Sequence, residues 1–324
     1  MIIHPELRAL RGDDSPQRDD QDALVEAVDA WRSRQDVAQI FDELDGFAAG
    51  GPIENFPALA ALFDGSGHAA RFIDEMIALV GAAFAEAMLA HLPFRYYCDD
   101  VVSTLQLGRA GRCSLALTVL DGEALAARPA PTTADFSSCE IWESVLAGAG
   151  QAQGVTCADL SQESADLAIE TIALKPGTVF ARQAWREALI VEDVEGRLVS
   201  LRLQRRLRET APTREFRLSD GQFVHQAAGN PTESRTELMM ALAGRMKLTE
   251  SAPVLADIAL DGCSAALRWQ ALRECLALDT QEGFAVLCQI AASPGDDLAH
   301  PAGALRSQLI ETYPQLGDLP QCRA

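Results

Sequence analysis

The stretch RLQRRLRETAPTREFR, residues 202–217, holds six arginines and two glutamates in a chain whose formal net charge is −20. Guanidinium groups grip carboxylates and phosphates through paired N–H donors. Arg202, Arg205, Arg206 and Arg208 are therefore candidates for meeting an acidic ligand, an acidic partner or an acidic surface of the same molecule. The competing reading is a solvated strand face that pairs with the protein's own acids. It gains weight because Lys175 and Lys247 are the only lysines, which leaves arginine as the general-purpose cation. Both readings place the cluster at the surface, where ion pairs contribute only about 0–1 kcal/mol each. Reversing Arg205 and Arg206 together is then expected to leave folding stability almost unchanged. Tyr97, Trp142 and Trp185 are the aromatics best placed to join such a cluster around a small molecule. In YYCDD, residues 96–100, a thiol lies beside two carboxylates. No histidine or lysine stands near it in sequence to lower its pKa, so Cys98 is read as inert.

Other chemistry lacks its residues. The five histidines stand at 4, 68, 91, 225 and 300, and the eight cysteines are scattered without a CxxC pair. Metal sites need imidazoles, thiolates or carboxylates clustered at ligand spacing, so neither a metal nor a cofactor is expected. The sequence has no GxSxG, GxxxxGK[ST] or HExxH, and no GxGxxG between a strand and a helix. GAGQAQG, residues 148–154, is read as a hairpin loop. No catalytic residue is assigned.

Strong acidity argues against nucleic acid, whose binding is driven by basic surface and counterion release, and against anionic membranes. The N-terminal MIIHPELRALRGDD has no basic segment followed by an apolar run, and the apolar stretch MIALVGAAFAEAMLAHL is interrupted by Glu86. With scattered thiols among apolar neighbours, the expectation is a cytoplasmic protein.

Three regions must position these residues. Residues 1–92 read as helical: QDALVEAVDAWRS puts Leu24, Val28 and Trp31 on one face, and Gly50-Gly51 ends a second helix. SGHAARFIDEMIALVGAAFAEAMLAHLP reads as one long helix, either central to this region or the seam of a homo-oligomer. Residues 93–229 read as short strands closed by Gly or Asp-Gly, which predicts an antiparallel β-domain. In RLVSLRLQ, Val199, Leu201 and Leu203 alternate with Ser200, Arg202 and Gln204. Asp220-Gly221 suits a two-residue turn that would pair Leu218 with Phe223 and Phe216 with His225, making His225 a core-edge residue. Residues 230–324 are helical again. Ser234-x-x-Glu237 and Asp279-x-x-Glu282 read as helix starts, and Trp269, Leu272 and Leu276 share a face that should be buried.

Two resemblances bear on fold. The Lys175-Pro176-Gly177 corner between strands, with an aromatic soon after, is similar to the barrel of the cupins. That resemblance implies metal-binding histidines near the turn, and the positions here are Ala181, Arg182, Gln183 and Ala184. The expectation is a β-core without the ligands. PVLADIA at 253–259 recurs as AVLCQIA at 285–291, which resembles HEAT-type helical hairpins. The resemblance implies an Asp in the turn and an Arg in the second helix, Asp261 and Arg268, while Pro301 replaces the arginine in the second copy. The resulting fold class is α+β: N-terminal helices, a central antiparallel β-sandwich or cupin-like barrel, and C-terminal HEAT-like hairpins. The primary functional expectation is a non-catalytic scaffold or sensor with a protein partner. The alternative is a small-molecule-binding protein or enzyme with a cupin-like β-core. Polar groups converging inside that core would favour the alternative; an apolar interior would favour the scaffold.

Overall fold

A computed structural model describes residues 12–160, 164–208 and 211–318. The chain divides into two units, the first ending near His225 and the second containing residues 226–324.

In the first unit, α1 (Ser15–Arg32) starts with Pro16 in its first turn and buries Leu24, Val28 and Trp31, the expected face. α2 (Gln35–Ala49) buries Val37, Ile40, Leu44 and Phe47 and stops where Gly50 takes φ 133°, a conformation that side chains disfavour. After α3 (Pro57–Ala61), the expected long helix is shorter and interrupted. α4 (His68–Met76) runs through a π-helical turn, Ile77–Gly81, into α5 (Ala82–Glu86). It buries Phe72, Ile73, Met76 and Val80 but exposes Ile77 and Phe84, and Met88 in the turn beyond it is exposed as well.

The β-region follows as β1 (Arg95–Cys98), β2 (Val102–Ala110), β3 (Cys113–Asp121), the helical turn α6 (Gly122–Ala126), β4 (Thr133–Phe136), β5 (Cys139–Leu160), β6 (Ala165–Leu174), β7 (Val179–Gln183), β8 (Glu187–Arg206), β9 (Thr213–Arg217) and β10 (Phe223–Ala227). The strands of the larger sheet pair antiparallel in the order β1-β2-β3-β8-β5-β6, with β7 also on β5. β5 and β8 form a long bent ribbon. Its near half, Cys139–Ala147 with Val199–Arg206, carries β3 and β7 on its flanks; its far half, Ala149–Thr156 with Glu187–Glu195, carries β6. Bulges at Val145/Ala147 and Ala147/Ala149 mark the bend. A second sheet has the order β10-β9-β4. Among the described residues neither sheet closes on itself: β1 and β6 end the larger sheet as edges. The barrel alternative is therefore corrected to an open antiparallel arrangement, because the ribbon bends over rather than joining its edges.

One face of the near half packs against the N-terminal helices, where Leu107, Leu115, Leu201 and Leu203 share a core with Trp31, Phe47 and Phe72. The opposite face closes onto the far half through Val145, Leu198, Ala152, Leu174 and Val194. The β9–β10 turn corrects the expected hairpin. Gly221 N–H donates to Arg217 O and Arg217 N–H to Gln222 O, so four residues form the loop. Phe216 meets Phe223 edge-on with centroids 5.9 Å apart, two positions out of the expected register, and His225 is exposed.

The second unit is built from α7 (Pro231–Met246), α8 (Ala252–Leu260), α9 (Ala265–Leu278), α10 (Thr280–Ala291) and α11 (Ala299–Thr312). α7 starts earlier than Ser234, because Asn230 accepts from Thr232 and Glu233 N–H and Pro231 opens the helix. Asp279 caps α10 as expected. Leu255, Ala271, Leu272, Phe284 and Leu287 form its core. Trp269 is only half-buried and lines a groove of about 620 Å³ with Leu305, Leu309 and Tyr313. Among the described residues no helix is long and apolar enough to cross a membrane.

Candidate functional site: a polar inner face in the β-core

Strand register decides which of the predicted residues can meet. Partners across an antiparallel ladder project on the same face, and alternate residues along a strand share it. One transverse row of the inner face therefore reads Gln106, Ala116, Arg202, Glu143 and Phe180. The row beside it reads Arg109, Ser114, Gln204, Ile141 and Arg182, with Arg109 exposed at the β2 end. The row on the other side carries Thr104, Thr118, Ser200 and Val145. Apolar residues (Ala116, Ile141, Phe180 and, toward the bend, Val145) are interspersed on this face with hydroxyl, amide and charged side chains.

At its centre lies a buried ion pair. Arg182 Nη1 donates to Glu143 Oε2 at 2.7 Å, with side-chain exposures of 13% and 10%. The Arg182 guanidinium also lies 5.7 Å from the centroid of Phe180. Burial lowers the Arg182 pKa from its ordinary range, the Glu143 carboxylate opposes that, and the charge of Arg202 adds to the lowering. Arg202 is directly opposite Glu143 in the ladder, yet its Nε is buried without a hydrogen-bond partner. Ser200 is buried beside it.

The other members of the predicted set are elsewhere. Arg205 is on the opposite face. Its Nε donates to Glu140 Oε2 at 2.7 Å and its Nη1 to Gly51 O at 2.6 Å, and its guanidinium sits 3.9 Å from the Phe47 centroid. Arg208 Nη2 donates to Ala49 O at 2.9 Å. Both arginines thus hold the carbonyl-rich C-terminal end of α2, where the helix dipole favours cations. Arg205 thus pairs with one of the protein's own acids, and what is corrected is its exposure: the pair is mostly buried rather than solvated. Arg206 takes part through its backbone: its N–H donates to Arg112 O and its carbonyl accepts from Arg112 Nη1. Trp142 also faces the helices, packed edge-on against Phe47 at 5.4 Å. Trp185 is half-buried in the turn between β7 and β8. Tyr97 belongs to the inner-face parity but at the edge strand, exposed, where its hydroxyl donates to Asp99 Oδ2 at 3.2 Å. The Asp99 hydrogen bond raises the Tyr97 pKa.

Sequence reasoning missed Glu143 and Arg182 as a site. Arg182 was visible just after the Pro-Gly corner, but Glu143 lies 39 residues away and only the β5–β7 register brings them together. The donor set does not fit a divalent cation. Glu143 is its one carboxylate, it is already engaged by Arg182, and two guanidinium groups repel a metal. Among the described residues no group of three or more His, Cys, Asp or Glu side chains is placed to hold one.

No family model matches the chain, and no curated protein matches it. Solved structures resemble part of it. HutD from Pseudomonas fluorescens SBW25 is 14% identical over 36% of this chain and 57% of its own, with a TM-score of 0.25. The 7S globulin of Momordica charantia is 13% identical over 40% of this chain and 36% of its own, at 0.26. A cupin superfamily protein from Desulfitobacterium hafniense DCB-2 is 18% identical over 34% of this chain and 83% of its own, at 0.23. The chain thus spans little more than half of the first and about a third of the second. At these scores the likeness assigns neither family nor activity.

Proposed function

We propose that this chain binds a small polar molecule against the inner face of its β-core. The observation that carries the reading is the placement of Glu143, Arg182, Arg202, Ser200 and Gln204 on a face turned inward, where a purely structural sandwich would place apolar side chains. Few convergent polar groups inside a mainly apolar fold are the usual make-up of a small-molecule site. This supports the ligand-binding alternative over a scaffold, and no reaction is assigned. The test is native mass spectrometry of protein purified from its own host, wild type beside Ser200→Val. The wild type should carry a bound mass that the variant retains less. Absence of any bound mass, together with no response of inner-face resonances to small polar metabolites, would sink the reading.

A second reading rests on the helical unit. α7 exposes Leu238, Met239, Leu242 and Met246, with Leu238 69% and Met239 70% exposed. Such a stripe supports a protein partner for this unit. The double variant Leu238→Glu with Leu242→Glu should lose that partner in a pull-down while keeping its helical circular dichroism.

A further inference from the structure

We propose that the molecule bound at the inner face is an anion, a small organic carboxylate whose oxygens occupy the guanidinium fork of Arg202. This deepens the ligand-binding reading and rests on it. The inference starts from charge. The central cluster has one carboxylate, Glu143, and two guanidinium groups, Arg182 and Arg202. Glu143 is committed to Arg182 at 2.7 Å, and no ion pair joins it to Arg202 among the described residues. The site therefore holds one unbalanced positive charge, inside a protein that is otherwise strongly acidic. Arginine stays protonated at any physiological pH, so the imbalance cannot be relieved by losing a proton.

A buried charge or donor without a partner is costly, and in a native structure it is accounted for by strain, by catalysis or by a bound water or ion. Arg202 Nε meets this description. The contrast with its neighbours on the same stretch is informative: Arg205 satisfies its Nε with Glu140 and one Nη with backbone carbonyls, and Arg208 caps α2. Arg202 is the member of the cluster whose buried Nε has no partner within the described residues. Its fork matches a planar carboxylate bidentately. Within the cluster of Glu143, Arg182 and Arg202, a monoanion balances the single excess charge. Ser200 and Gln204, two positions to either side on the same face, and Thr118 opposite Ser200, offer donors and acceptors to the body of the molecule, which points to a hydroxylated or otherwise polar acid.

The experiment compares thermal melting of wild type and Arg202→Met in sodium acetate, sodium phosphate and sodium chloride at equal ionic strength, with the native mass spectrum of each. In wild type, acetate should raise the Tm saturably above chloride, and by more than phosphate does. In Arg202→Met, the Tm in chloride should be equal or higher, since an unbalanced cation has been removed, and the acetate increment should vanish. Arg202→Lys should keep part of the increment, because charge remains but the fork is lost. Glu143→Gln, which adds a second unbalanced charge, should tighten acetate binding several-fold wherever it folds. A lower Tm for Arg202→Met in chloride would make Arg202 a structural residue and overturn the proposal, as would equal acetate increments in both proteins. A phosphate increment larger than that of acetate and lost in Arg202→Met would overturn the carboxylate assignment, the part kept in the variant being the general salt effect. A bound neutral mass retained by Arg202→Met would overturn the anion while leaving ligand binding intact. Neither a bound mass nor any ion response would remove both.

Discussion

Arg202 and Arg205 are three residues apart on β8, and the pleat sends them to opposite faces. Read as a string, the two belong to one basic cluster; read with period two, they belong to different environments. The alternation of Val199, Leu201 and Leu203 already placed Arg202 away from the helices, and the same parity put Arg205 among them, among apolar neighbours where a charge needs partners. That second step was legible but was hidden by the density of arginines. Arg205→Met should therefore destabilise by about 3 kcal/mol, since it leaves Glu140 without its partner in a mostly buried position. Urea unfolding measures this, and Arg205→Lys should fall between it and wild type. For the inner pair, Glu143→Leu alone leaves two cations buried and should cost about 3–5 kcal/mol. Glu143→Leu combined with Arg182→Met should cost less than the sum of the single changes, which a double-mutant cycle would read as a coupling above about 1 kcal/mol.

At the scale of elements, the sequence signals were right about type and wrong about continuity. CEIWESVLAGAG ends in glycines that look like a turn, yet β5 continues through them to Leu160. The glycines serve the bend. Gly148 takes φ 86°, and a Cβ there would stand 2.0 Å from Arg197 O, so no side chain fits without moving β8. Gly148→Ala should lower the Tm by many degrees, whereas Gly177→Ala, with open space around it, should show only the smaller cost of its φ of 84°. Local pattern distinguishes a bend from a turn poorly because both need positive φ; what differs is the partner strand, and that is a long-range fact. The helical unit shows the same limit. Arg268 was marked by its repeat position, but its carboxylate is Asp296 rather than Asp261: Arg268 Nη1 and Nη2 donate to Asp296 at 3.1 and 2.5 Å, while Asp261 accepts from Gly262 N–H. The Arg268 hydrogen bond holds the Asp296 carboxyl below its usual range. Its folded pKa is lower than its unfolded one, so its stabilisation is present at neutral pH and fades as pH falls through the carboxylate range. Wild type should be more stable than Asp296→Asn at pH 7, and the two should converge as pH falls through the lowered folded pKa of Asp296.

For the first unit as a whole, charge and apolar surface pull in opposite directions. A net charge of −20 on the chain repels a second copy at low ionic strength. Against that, the helices that the sequence offered as an oligomer seam leave Ile77, Phe84 and Met88 exposed, Met88 by 72%. Phe84 also lines a groove of about 460 Å³ with Tyr96, Tyr97 and Leu105, beside the unpaired edge of β1. An edge strand flanked by apolar side chains is suited to contact with another chain. Because the attraction is apolar and the repulsion ionic, salt should favour association: the Debye length falls from about 30 Å at 0.01 M to about 8 Å at 0.15 M. Sedimentation velocity should show a larger weight-average mass at about 0.5 M salt than at low salt, and the double variant Phe84→Glu with Met88→Glu should stay monomeric at both. An arginine–carboxylate interface would respond in the opposite sense, dissociating as salt rises. A mass that falls with salt would therefore move the contact away from these helices and onto ion pairs, and a mass independent of salt and of both substitutions would leave this surface as the solvent-facing side of a monomer.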